Sequence, residues 1–96
     1  MPDKYAPDKY ADEMRNKAME ALNEEAMTII DSIIDIIEEK ASKGHFSLSF
    51  PSTQTEKIID IVERKLIYKG FKVEVEEVEE NNNTGYMKVI FVISWD

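Results

Sequence analysis

The stretch that decides the fold is the C-terminal segment FKVEVEEVEENNNTGYMKVIFVISW (residues 71–95). Before its asparagines, Phe and Val alternate with Lys and Glu, which predicts a strand with one apolar face. The alternation slips at residues 76–78, which indicates a β-bulge. Residues 86–95 predict a second strand that is apolar on both faces, as a central strand is. Because Asn and Gly tolerate positive φ, residues 81–85 predict a turn that joins the two strands into a hairpin.

A strand and a helix are predicted to precede this hairpin. Residues 45–50 alternate Phe and Leu with Ser, which is typical of a half-buried strand, and Pro51 is expected to end it. A helix is then predicted from Thr53, because Thr53 and Glu56 have the spacing of a capping box and isoleucines follow at helical intervals. Gly70 is expected to cap the helix at its C-terminus.

The N-terminal part of the chain predicts one long helix. From Tyr10 to Ala41 there is neither Gly nor Pro, and the isoleucines fall on one side at 100° per residue. Gly44 can adopt the left-handed conformation that ends a helix. The chain begins with a tandem repeat of Pro-Asp-Lys-Tyr-Ala in 2–11. We interpret residues 1–9 as a flexible N-terminal arm and residues 10–96 as a single domain.

The predicted element order, α-β-α-β-β, indicates an α+β fold. Its simplest form is a two-layer sandwich, with a three-stranded mixed sheet and the helices mainly on one face. The last strand is expected in the middle of the sheet, antiparallel to both neighbours. Ile90 and Val92 then point to the other face, which either the long first helix or a second subunit would have to cover.

The composition excludes several classes of function. The 96 residues include no cysteine, which rules out disulfides, thiolate zinc sites and a cysteine nucleophile. The one histidine, His45, has no recognisable catalytic partner, and the sequence has no phosphate-binding or calcium-binding loop motif. No run of residues predicts a membrane span or a signal peptide. We therefore expect a cytoplasmic protein that is not an enzyme and uses no cofactor or metal. The alternative, a small enzyme or metal-binding protein, depends on His45 alone.

Charge is segregated along the chain. The 20 acids outnumber the 12 Lys and Arg, and a net charge of −8 argues against nucleic acid or an anionic membrane as the main partner. Residues 1–40 hold eleven acids and five bases, residues 41–72 three acids and six bases, and residues 73–96 six acids and one base. Five bases of the middle block are candidates for a small anion patch: Lys57, Arg64, Lys65, Lys69 and Lys72. The acids between them favour a mixed, solvated helix face instead.

The acids of the long helix form a stripe opposite its isoleucines. At 100° per residue six of them fall within about 60° of one another. These six, called the acidic stripe below, are Glu13, Glu20, Glu24, Asp31, Asp35 and Glu38. From Glu20 to Glu38 the stripe spans about 27 Å, which is most of one DNA turn. The hairpin adds a second acidic group: Glu74, Glu76, Glu77, Glu79 and Glu80. These carboxylates can imitate DNA phosphates toward a basic partner, whereas the alternative is that they only keep the protein soluble.

The chain resembles the small acidic proteins that phages make to disable host factors, among which DNA mimics are prominent. The resemblance rests on its size, its lack of cysteine, a pI near 4.6 and the acidic stripe. It implies an inhibitor that acts in the host cytoplasm by binding a basic DNA-binding protein, with a nucleoid-associated protein of the HU type as the favoured target. The alternative function is that of a small structural or assembly protein that oligomerises through its sheet, as a homodimer for example.

Overall fold

A computed structural model describes residues 9–81 and 85–96. These residues form, in order, α1 (Lys9–Ser42), β1 (Ser47–Thr55), α2 (Glu56–Tyr68), β2 (Lys72–Asn81) and β3 (Tyr86–Ser94). The predicted order and the α+β class are confirmed. Helix α1 begins at Lys9, the last residue of the predicted arm. The rest of that arm (1–8) and the middle of the predicted turn (82–84) lie outside the described residues.

The three strands pair in the order β1-β3-β2. Strand β3 lies in the middle and is antiparallel to both neighbours, as predicted. Because both pairings are antiparallel, the sheet is antiparallel rather than mixed. The predicted bulge is also confirmed, since the register between β2 and β3 shifts between Glu77 and Glu79.

Strand β1 is longer than its sequence predicts. Pro51 does not end it, but lies in the strand opposite Ile90 of β3. The pairing continues to Thr55, which lies opposite Tyr86. A proline is tolerated in this place because β1 is an edge strand, and an edge strand has N–H groups that need no ladder partner.

The longer strand moves the start of α2. Thr53 pairs with Lys88 in the sheet, so the capping box predicted from Thr53 and Glu56 is wrong. Thr55 is the N-cap residue instead, with an extended backbone (φ −71°, ψ 156°), and its side chain makes no capping hydrogen bond. The first turn of α2 is therefore defined by the end of the strand and not by a side-chain cap.

Both helices end as predicted, in glycines with positive φ. Gly44 has φ 87° and Gly70 has φ 101°. The backbone N–H of His45 donates to the carbonyl oxygen of Lys40 at 3.0 Å, and that of Phe71 donates to Leu66 at 3.2 Å. These are the hydrogen bonds of a Schellman motif, and each turns the chain directly from a helix into a strand.

The core lies between the sheet and both helices, on one face of the sheet. It is composed of Ala26, Ile30, Ile33, Ile37, Leu48, Ile58, Ile59, Val62, Leu66, Val89, Phe91 and Ile93. Helix α1 packs against β1 and α2, so the alternative in which it reaches round to the other face is wrong. On that other face Ile90 and Val92 remain half-buried.

Helix α1 is much longer than the layer on which it packs. Its 34 residues extend about 51 Å, whereas the nine residues of β1 extend about 30 Å. Its four buried residues are Ala26, Ile30, Ile33 and Ile37, all in its second half. The first half of α1, residues 9–25, contributes no buried residue to the core.

Candidate partner-binding surface

The acidic stripe lies on the exposed back of α1. The buried residues of α1 recur at intervals of three and four, which turns one side of the helix toward α2 and β1. Because the stripe is on the opposite side, all six of its acids are exposed. Glu13, Glu20 and Glu24 belong to the half of α1 that contributes no buried residue to the core. Asp31, Asp35 and Glu38 lie behind the buried isoleucines.

The stripe is not neutralised by the described part of the chain. Three ion pairs are present there, and none includes a stripe acid: Asp12–Arg15 at 2.7 Å, Glu39–Lys43 at 3.6 Å and Asp60–Arg64 at 3.1 Å. A neighbouring hydroxyl donates to the backbone and not to a stripe carboxylate: Thr28 Oγ1 donates to the carbonyl oxygen of Glu24 at 3.1 Å. The stripe carboxylates therefore direct their charge at solvent.

The acids of the stripe are spaced more widely along the helix axis than the phosphates of one DNA strand are along the duplex axis. Glu20 and Glu24, like Asp31 and Asp35, are four residues apart, or about 6 Å along the helix axis. Phosphates of one DNA strand recur every ~3.4 Å along the duplex axis. Each pair of acids thus has about twice that spacing, and Lys17 interrupts the series near its N-terminal end.

The second acidic group lies elsewhere on the molecule. Glu74 and Glu76 of β2 are exposed on the open face of the sheet, opposite Val92 and Ile90 of β3. Glu77 is also exposed. The backbones of the other two predicted acids, Glu79 and Glu80, pair with Lys88 and Met87 of β3. Helix α1 packs on β1, at the other edge of the sheet, and covers the face opposite to the one that exposes Glu74 and Glu76. The structure therefore does not bring the two acidic groups together.

Comparison with known proteins gives no relative. No protein-family model, no curated protein and no solved structure matches the chain.

The part of the chain that the structure describes contains neither a cluster of metal ligands nor a helix that could span a membrane. In residues 9–81 and 85–96, no three or more His, Asp or Glu side chains are placed to hold a metal ion. Within the same ranges, no helix is long and apolar enough to cross a membrane. His45 is exposed and follows the cap of α1, where its backbone N–H completes the Schellman motif.

Two further features of the helical layer were not predicted. A shallow cavity of about 210 Å³ lies where α1 meets α2, lined by Met19, Leu22 and Ile61 together with charged side chains of α2. At the junction of β1 and α2, Gln54 Oε1 and Thr55 Oγ1 are buried without a hydrogen-bond partner. The second feature lies in the part of β1 whose extent the local sequence pattern predicts wrongly.

The predicted anion patch is divided by the structure. Arg64 pairs with Asp60, and Lys57 lies in the first turn of α2. Lys65 lies in the last turn of α2, and Lys69 and Lys72 follow that helix at the end of the domain where β1 and β2 begin. A sequence signal for this end was present, since Lys-Gly occurs both at Lys43-Gly44 and at Lys69-Gly70.

Proposed function

We propose that this protein is an acidic interaction module that binds a basic DNA-binding protein and blocks the access of that protein to DNA. The observation that supports the proposal is the acidic stripe itself: six exposed carboxylates on one side of α1, none of them in an ion pair within the described residues. The proposal includes no catalytic step and no cofactor.

Electrostatics explains how such a surface would select its partner. A row of like charges on a rigid helix produces a potential that accelerates encounter with a basic surface and fixes its orientation. A helix is 10–12 Å across with its side chains, so α1 can enter a groove or lie under a basic arm. An HU-type nucleoid protein is the first target to test, because the resemblance to phage inhibitors implies it.

The test is competition with a DNA duplex for a purified HU-type protein. A stripe variant carries Glu24→Gln, Asp31→Asn and Asp35→Asn. A matched control removes three charges from the same helix outside the stripe: Asp12→Asn, Glu25→Gln and Glu39→Gln. We expect the stripe variant to lose at least about tenfold in affinity, and the control less than about threefold.

The salt dependence of the competition is the second part of the test. Binding by the wild type is expected to weaken steeply as ionic strength rises, because the pairs between exposed charges are screened. Equal losses in the stripe variant and in its control would contradict the proposal, and so would binding that is insensitive to salt.

A second candidate function, assembly through the sheet, is favoured by one observation. Ile90 and Val92 lie half-buried on the open face, where no described helix covers them. Apolar association of this face would persist at high salt, where charge pairs are screened. A dimer in about 1 M salt that Val92→Lys dissociates would support this function, and a monomer under those conditions would exclude it.

A further inference from the structure

The end of the domain opposite to the first half of α1 is basic. The sheet register defines this end, because Ser94 of β3 pairs both with Ser47, at the start of β1, and with Lys72, at the start of β2. The loop after α1 and the loop after α2 therefore leave the helical layer side by side, on either side of the end of β3. Two inter-strand spacings, about 10 Å, separate the strands that they enter.

Every charged residue in these two segments is a base. Residues 40–47 and 65–72 include no acid, and they contain Lys40, Lys43, Lys65, Lys69 and Lys72. Asp96, which follows β3, and Glu39, which pairs with Lys43 at 3.6 Å, add two negative charges to this end. We call these five lysines with their two loops the basic end. Its charge is opposite to that of the acidic stripe on the same molecule.

The basic end also exposes large apolar side chains. Phe46 is 61% exposed and Tyr68 is 93% exposed, and each lies within two residues of a cap glycine, Gly44 or Gly70. The residue next to Tyr68, Ile67, is 50% exposed. Aromatic side chains are enriched in protein contact surfaces. Beside lysines, they can supplement the pairing of charges by burying apolar area in the contact.

We propose that the basic end of one copy of this protein binds the acidic stripe of a second copy. Charge complementarity selects this arrangement, because two stripes repel each other and two basic ends repel each other, whereas a stripe and a basic end attract. A helix 10–12 Å across matches the roughly 10 Å between the two loops, so one α1 can contact both loops at the same time.

Such a contact is heterologous, since it joins two different surfaces. Each copy retains one unused stripe and one unused basic end, so association continues into chains unless the geometry closes a ring. This self-association does not depend on the proposed function. Self-association and binding of a basic DNA-binding protein would compete, because a second copy and that protein would occupy the same stripe.

The experiment is a charge swap followed by sedimentation velocity at low salt. One variant changes the sign of two of the five lysines of the basic end, with Lys69→Glu and Lys72→Glu. The other changes the sign of three of the six acids of the stripe, with Glu20→Lys, Glu24→Lys and Asp31→Lys. Every position is exposed, and circular dichroism checks that each variant is folded. A matched control, Lys57→Glu with Lys88→Glu, makes the same change of charge at exposed positions away from the basic end.

We expect the wild type and the control to form larger species as concentration rises, and to return to monomer at about 0.5 M salt. Each swapped variant alone is expected to remain monomeric, because its changed surface then has little net charge and no longer attracts the other surface. Mixing the two swapped variants restores association, since the unchanged stripe of one variant meets the unchanged basic end of the other. The restored contact cannot be attributed to misfolding.

Three results would overturn the inference: a wild type that is monomeric at low salt, association that persists in the Lys69/Lys72 variant, and a mixture of the swapped variants that remains monomeric. The Lys69/Lys72 variant also separates this inference from the proposed function. Its stripe is intact, so it is expected to compete with DNA for the basic target as the wild type does.

Discussion

The two halves of α1 differ in how much of their surface packs against the rest of the protein. Residues 26–42 contribute Ala26, Ile30, Ile33 and Ile37 to the core and end in the cap at Gly44. Residues 9–25 contribute no buried residue, although they continue the same helix for about 25 Å. The comparison shows that the buried residues of the helix all lie in its second half, whereas Leu22 of the first half is only partly buried against the core. The first half is available for binding, and the stripe runs along both halves.

The largest expected difference between the halves is in the cost of removing an apolar side chain. Ile33 is fully buried, and Ile33→Ala is expected to lower the free energy of unfolding by about 3 kcal/mol, because it leaves a cavity in a packed core. Met19, in the first half, is 47% exposed, and Met19→Ala is expected to cost about 0.5 kcal/mol or less. Urea unfolding of both variants measures the difference. Equal losses would show that the first half of α1 packs as tightly as the second.

A matched pair of alanines makes the same comparison without a large cavity. Ala26 is fully buried and Ala18 is exposed. Ala26→Gly is expected to lower the free energy of unfolding by about 2 kcal/mol, from lost helix propensity together with one lost methyl contact. Ala18→Gly loses propensity only, at most about 1 kcal/mol. Thermal unfolding with the two variants side by side tests this, and a larger effect at Ala18 would reverse the assignment of the two halves.

Helix ends and the central strand were predictable because each depends on a short local pattern. Gly44 and Gly70 cap the helices as expected, since positive φ suits glycine. The alternation along β3 correctly separates Val89, Phe91 and Ile93, which are buried, from Ile90 on the open face. In each case the deciding residues are neighbours in sequence.

The predictions from sequence are wrong where pairing with a strand that is distant in sequence determines the structure. Pro51 and Thr53 locally favour the end of a strand and the start of a helix, but β3 is nine residues long and pairs with all of β1. The ladder therefore extends to Thr55, and the capping box is lost. For the candidate surface, helical periodicity predicted the stripe on α1. The pattern did not predict that the lysines around Gly44 and Gly70 share one end, because the sheet register brings them there.

The cap at Gly44 is expected to stabilise the C-terminal end of α1, in the half of the helix that contributes to the core. Space is not limiting, because an added Cβ would meet nothing within 4 Å, but φ of 87° strains any other residue. Gly44→Ala is expected to cost about 1 kcal/mol, since left-handed strain of about 1–2 kcal/mol is partly offset by reduced entropy of the unfolded chain. Lys43→Ala is the control, and it removes one exposed ion pair worth less than about 0.5 kcal/mol. A neutral Gly44→Ala would show that this end of α1 is not fixed by its cap.

The smallest expected effect has the opposite sign, and it connects the stripe with stability. Asp31 and Asp35 are like charges four residues apart on the exposed back of α1, an arrangement that costs about 0.2–0.5 kcal/mol. Asp31→Asn keeps the size and the helix propensity nearly unchanged, so it is expected to stabilise the fold by a few tenths of a kcal/mol at low salt and by nothing measurable at high salt.

The control for this last prediction is Asp60→Asn, which breaks the 3.1 Å pair with Arg64 on α2 and is expected to reduce stability slightly at low salt. Opposite signs at Asp31 and Asp60 would mean that the acids of the stripe are held together against their own repulsion. A solubility requirement alone is met by acids that alternate with bases, as on α2. A stripe that destabilises its own helix therefore favours selection for a contact made by those carboxylates, and a destabilising Asp31→Asn would remove that argument.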